Sequence, residues 1–172
     1  LNIVCEGASD FGSFPGVKQI GWWVFDGEFG FSLEADWITD EALDQTNPTI
    51  AASTDQRVRI AWTGLTASFT EPQIRYITLD GFAAGFYTPD ATITEITAAA
   101  SDHFAPSIAV DTSGNIHIVW HGVTATSPTV MQLASVSSFD GAATWSAAVD
   151  LTDDTVDQVN ASLLWAGGAA QF

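Results

Sequence analysis

The chain repeats itself. One copy reads Ala105-Pro106-Ser107-Ile108-Ala109-Val110-Asp111, then Ser113-Gly114-Asn115, then Ile116-His117-Ile118-Val119-Trp120-His121-Gly122. Before it stands Asn47-Pro48-Thr49-Ile50-Ala51-Ala52, followed by Val58-Arg59-Ile60-Ala61-Trp62-Thr63-Gly64. A first copy enters midway at Leu1-Asn2-Ile3-Val4-Cys5-Glu6-Gly7, and Asn160-Ala161-Ser162-Leu163 opens a fourth. The period is roughly 55 to 58 residues, and each unit is built from strand-length apolar runs. Such a unit cannot bury its apolar face alone. It must stack on its neighbours, and at this period the stacked unit is first of all a four-stranded β-propeller blade. The expected fold is therefore all-β, with about three blades. Residues 1–46 make a partial blade, 47–104 and 105–159 a blade each, and 160–172 the start of the next.

Within a repeat the expected strands follow the alternation of side chains. Ile116, Ile118 and Trp120 alternate with His117, Val119 and His121, which is the period of a strand. First strands are expected at Thr49–Ala52 and Ser107–Val110, and second strands at Val58–Thr63 and Ile116–His121. Third strands fall at Gln19–Val24, Ile74–Thr78 and Met131–Ser137. Fourth strands fall at Leu33–Thr39, Thr92–Thr97 and Ser146–Thr152. Phe25-Asp26-Gly27, Leu79-Asp80-Gly81 and Phe139-Asp140-Gly141 read as hairpin turns, because Asp-Gly accepts positive φ. Glu41–Gln45 and Ala98–Asp102 are long enough only for single helical turns.

Seven Trp and eleven Phe in 172 residues exclude a disordered chain despite a net charge of −17. That charge repels phosphate backbones and anionic lipid, so neither nucleic acid nor a membrane surface is an expected partner. No apolar run reaches the length of a membrane span. Cys5 is the lone cysteine, so no internal disulfide forms; it takes the slot of Trp62 and Trp120 and reads as a strand residue. The chain lacks an initiator Met, which reads as a processed product or an excised piece. Three blades cannot close a ring, since propellers use about four to eight. The open faces call for self-association into a six-bladed ring of two copies, or for missing blades of a longer chain.

The strongest local motif is Ser138-Phe139-Asp140-Gly141-Ala142-Ala143-Thr144-Trp145. It resembles the Asp box, Ser-x-Asp-x-Gly-x-Thr-Trp, of sialidase-like β-propellers, with Ala142 where the pattern has its Gly. Pro106 to Trp120 resembles the strand pair of bacterial secreted repeat proteins of that class. The other repeats match only in outline. The resemblance implies that Ser138, Asp140, Thr144 and Trp145 are structural, the carboxylate accepting backbone N–H groups while the indole packs under the turn. It also implies an extracellular or cell-surface setting. A sialidase would need three arginines from different blades, a Tyr–Glu pair and an acid. Arg57, Arg59 and Arg75 all lie in one repeat, and Tyr76 alternates with apolar neighbours, so the catalytic set is incomplete in this chain.

Polar residues in matching slots mark the candidate site. If the blades follow the family, one rim gathers Asp44, Gln45, Asp102, His103, Asp157 and Gln158 with Glu6, Thr63 and His121. Such a rim suits hydrogen bonding to sugars, or is simply a solvated acidic edge. His117 and His121 share a strand face but stand about 13 Å apart, too far to grip one metal ion. The acidic stretch from Leu151 to Asp157 offers oxygens to Ca²⁺ but lacks the ordered spacing of an EF-hand, and no cofactor is expected. The function expected is a non-catalytic module for binding or adhesion, with a carbohydrate or surface ligand, in a secreted protein. The alternatives are a purely structural repeat segment and a fragment of a sialidase-type glycoside hydrolase.

Overall fold

A computed structural model describes residues 2–8, 13–25, 32–83, 86–89, 92–165 and 170–171. They form strands and loops, with no helix among the described residues. The first sheet holds β1 (Asn2–Ala8), β2 (Lys18–Phe25) and β3 (Ser32–Trp37), in that order. The second holds β4 (Gln45–Ala52), β5 (Val58–Gly64), β6 (Gln73–Ala83) and β7 (Phe86–Pro89), with β8 (Thr94–Glu95) also paired to β6. The third runs β9 (His103–Val110), β10 (Ile116–Val123), β11 (Met131–Ser138) and β12 (Val149–Asp150). A last hairpin joins β13 (Leu164–Trp165) to β14 (Ala170–Gln171). Every pairing is antiparallel, and all but that of β8, which skips β7 to reach β6, join strands consecutive in the chain, as short connections dictate.

The sheets pack face to face, and strand alternation decides what each face buries. Val58, Ile60 and Trp62 of β5 and Ile77 and Leu79 of β6 join Ile20, Trp22 and Val24 of the first sheet in one core. Ala61, Ile74 and Tyr76 join Ile108, Ile116, Ile118, Trp120, Ala134 and Val136 of the third sheet in another. The second sheet thus carries a core on both faces, and every residue of β5 is buried. Leu163 starts a third core against Ala109 and Val119.

Several expectations need correction. Leu79-Asp80-Gly81 is not a turn: β6 runs on to Ala83, with Asp80 opposite Thr88 and Ala83 opposite Phe86. The β-forming run on either side prolongs the ladder, so pairing outweighs the Asp-Gly signal. The ordered fourth strands are shorter than expected, only Thr94–Glu95 and Val149–Asp150 in the later repeats. First strands begin earlier, at Gln45 and His103, so neither segment before them is helical. Asp26 and Gly27 of the first expected turn lie outside the described residues.

Candidate functional site

Most of the polar residues in matching slots meet hydrogen-bond partners inside the protein. Glu6, Thr63 and His121 each reach the following repeat. Glu6 Oε2 accepts the backbone N–H of Asn47 at 2.7 Å, Thr63 Oγ1 that of Ala105 at 3.0 Å, and His121 Nδ1 that of Asn160 at 3.4 Å. The three donors share a conformation: φ is 53° at Asn47, 45° at Ala105 and 57° at Asn160. In β4 and β9 this left-handed residue opens a bulge, placing two residues opposite Trp62 and two opposite Trp120. The bulge turns the N–H out of its own ladder and towards the preceding sheet. This clasp occurs three times with three different acceptors.

Gln45 and His103 brace the buried tryptophans. Trp62 Nε1 donates to Gln45 Oε1 at 2.8 Å, and Trp120 Nε1 to His103 Nδ1 at 3.1 Å. Both indoles are almost fully buried, so an unpaired N–H there would be costly. The acceptors need room. A Cβ on Gly122 would stand 2.5 Å from Asp102 O and 2.6 Å from His103 Nδ1, and one on Gly64 would collide with Gln45 Oε1. Arg75 Nη1 adds bonds of 2.8 Å to both Glu41 carboxylate oxygens and 3.0 Å to Gln45 Oε1, and its guanidinium lies 5.7 Å from the Trp62 ring centroid. In the first sheet Cys5 replaces the tryptophan; it is half-buried, and desolvation, then Glu6, pushes its thiol pKa up.

The remaining candidates divide. Asp44 Oδ1 accepts Lys18 N–H and Asp157 Oδ1 accepts Met131 N–H, each at 2.9 Å, fixing the start of β2 and β11. Asp102 occupies the same slot opposite Pro72, which has no N–H to give. Gln158 donates its backbone N–H to Met131 O at 2.8 Å.

A third joint lies outside the motifs described above. Gln19, Gln73 and Gln132 open their strands at equivalent places and are buried. Each amide brackets the chain leaving its sheet: Gln19 with Glu41, Gln73 with Thr97 and Ala99, Gln132 with Thr152 and Asp154. Thr39, Thr97 and Thr152 complete it by accepting the N–H of Ile20, Ile74 and Leu133, each at 2.9 Å. The available signal was Gln-Ile or Gln-Leu at the head of each third strand.

At the opposite end of the third sheet, Asp140 organises residues 138–145. Its carboxylate accepts from Ser138 Oγ and Thr144 N at 2.9 Å and from Thr144 Oγ1 at 2.5 Å, and Ser138 Oγ accepts Ala142 N–H at 2.9 Å. The Thr144 hydroxyl leads the causes that hold the Asp140 pKa below the usual carboxylate range. Trp145 crosses to the second sheet, edge-on to Tyr76 at 5.1 Å between centroids. Tyr76 is 2% exposed, bonded to Thr78 Oγ1 at 2.8 Å, and its pKa is raised by burial. The arginines each take a separate carboxylate: Arg57 pairs with Asp80, Arg59 with Asp55 and Arg75 with Glu41. They converge on no common point for an anion. Among the described residues no three His, Cys, Asp or Glu side chains gather to hold a metal ion.

A cavity opens beside the start of β9 and the end of β10. It measures about 600 Å³ and lies between residues 96–101 and residues 123–128. Thr97, Ser101, His103, Thr124 and Asp150 punctuate a wall of alanines and other apolar side chains, with Trp120 behind. Of the nine rim candidates only His103 lines it. No family model matches the chain, and no curated protein does.

Proposed function

We propose that the chain is an arc of a sialidase-like β-propeller that serves as a non-catalytic binding module for a neutral carbohydrate. The repeated antiparallel meanders, stacked face to face in chain order, support the arc; further repeats or a second copy would complete the ring. The rim cavity carries the functional reading. Its volume suits a small ligand, and an apolar wall with a few hydroxyls matches the two-sided chemistry of a sugar ring. The net charge of −17 and Asp150 in the wall select against anionic sugars. The Asp140 turn supports the family resemblance, and the separately paired arginines argue against sialoside cleavage. NMR titration with a panel of neutral oligosaccharides tests the reading: shifts should centre on Thr97, Ser101 and Thr124, and vanish in Ala98→Trp, which fills the cavity mouth. No shifts at millimolar sugar, or shifts unchanged in that variant, refute it.

A second reading is a purely structural repeat segment. The observation favouring it is that Glu6, Thr63 and His121 use their acceptors to hold successive repeats together. The same titration separates the two.

A further inference from the structure

Both buried histidines of the third sheet stand where the second sheet uses groups that do not titrate near neutrality. His103 does for Trp120 what Gln45 does for Trp62. His121 does for Asn160 what Thr63 does for Ala105. An imidazole nitrogen accepts only while it is bare, and both indole and backbone N–H groups can only donate. Trp120 therefore requires a bare Nδ1 on His103, leaving the proton on Nε2, which stands 3.1 Å from Ser101 Oγ. Asn160 requires a bare Nδ1 on His121 in the same way.

We propose that the third sheet contains an acid-released joint: uptake of a proton from solvent at His103 and at His121 breaks the Trp120 brace and the Asn160 clasp. The rim cavity and the segment 160–165 then loosen, while the second sheet, with Gln45 and Thr63, stays closed. The joint stands whatever the cavity holds.

The surroundings favour neutral rings at pH 7. Around His103 lie Ser101, Asp102, Trp120 and Gly122, with Asp150 on the same cavity wall. Burial lowers the His103 pKa, and the opposing pull of Asp102 is smaller. His121 faces Phe104 across β9 at 5.8 Å between centroids, Leu133 across β11, and Asn160 behind. None of these carries a charge, and burial lowers its pKa too. A lowered histidine pKa means that the unfolded or opened form binds more protons. Stability from these joints is therefore complete above the ordinary histidine pKa and declines as the pH falls below it.

The test follows hydrogen exchange by NMR between pH 7.5 and 5, with the second sheet as internal control. The Trp120 to Trp62 indole exchange ratio and the Asn160 to Ala105 amide ratio should each rise as the pH falls, approaching about tenfold per pH unit once opening is proton-linked. Taking ratios cancels the pH dependence of exchange chemistry itself. Flat ratios down to pH 5 overturn the proposal. A His103→Gln, His121→Thr double variant, which copies the second sheet, should flatten both; a rise that persists in it also overturns the proposal. Should that variant fail to fold, the ratios in the parent chain decide.

Discussion

Replacing Gln73 with Ala should cost about 3 kcal/mol of unfolding free energy. The Gln73 side chain is fully buried. Its amide donates to Glu71 O at 3.0 Å, Ala99 O at 2.9 Å and Ser101 O at 3.2 Å, and accepts from Thr97 Oγ1 at 2.9 Å and Ala99 N at 3.2 Å. Truncation strands all five groups. A buried group left unpaired costs about 1–3 kcal/mol, but Ala98 and Ala100 are exposed, so water reaches part of this loop. The Thr97 hydroxyl can also turn. Two groups at about 1.5 kcal/mol each, in the lower half of that range because water reaches the loop, give the figure, a large share of the roughly 5–15 kcal/mol that holds a domain together. Gln73→Glu should fare no better at pH 7, because a carboxylate would face three carbonyl oxygens. Urea unfolding monitored by tryptophan fluorescence measures both, with the exposed Thr126→Ala as a control expected within about 0.5 kcal/mol of the parent. A Gln73→Ala loss below about 1 kcal/mol would show that the bracket contributes no more than an ordinary surface contact.

Other consequences are equally direct. Ala142 sits at φ 77°, where a Cβ is strained, so Ala142→Gly should raise stability by about 1 kcal/mol in the same assay. Gly122→Ala should destabilise by about 2 kcal/mol or more, since the added Cβ meets the Asp102 backbone oxygen, which cannot swing aside; an unchanged urea midpoint would contradict this. The Arg59 hydrogen bond leads the causes that hold the Asp55 pKa well below the usual carboxylate range. A depressed pKa gives stability that is complete above the unfolded value of about 4 and is lost as pH falls through the folded one. Asp55→Asn should therefore shrink the fall in melting temperature between pH 4 and pH 2, and an unaltered fall would refute the assignment.

The strand pattern was legible because each central strand buries two faces of different character. Ile116, Ile118 and Trp120 turn towards one neighbour, while Val119 turns towards another, and the alternation records both. The Asp140 turn was legible because its partners are close in sequence. The Gln73 bracket was not: its partners lie a whole hairpin away, and a lone glutamine at a strand head looks like a surface residue. The rim residues were visible as matching slots, but a carboxylate, hydroxyl or imidazole suited to a sugar hydroxyl is equally suited to a backbone N–H. Only placement opposite Asn47, Ala105 and Asn160 reveals the contacts they make. The length of β6 was hidden for a different reason, since an Asp-Gly pair tolerates a turn without requiring one.

The clasp between repeats has one main-chain partner and one side-chain partner. The donor is an N–H group, which any residue but proline supplies; the residue after it is Pro48 in one repeat and Pro106 in another, which donates nothing and so leaves that group unrivalled. The acceptor already exists in three chemistries, carboxylate, hydroxyl and imidazole. Within the clasp itself, no complementary pair of side chains has to be kept in step. A unit duplicated, deleted or exchanged by recombination would meet its new neighbour with half of the bond already supplied by the backbone.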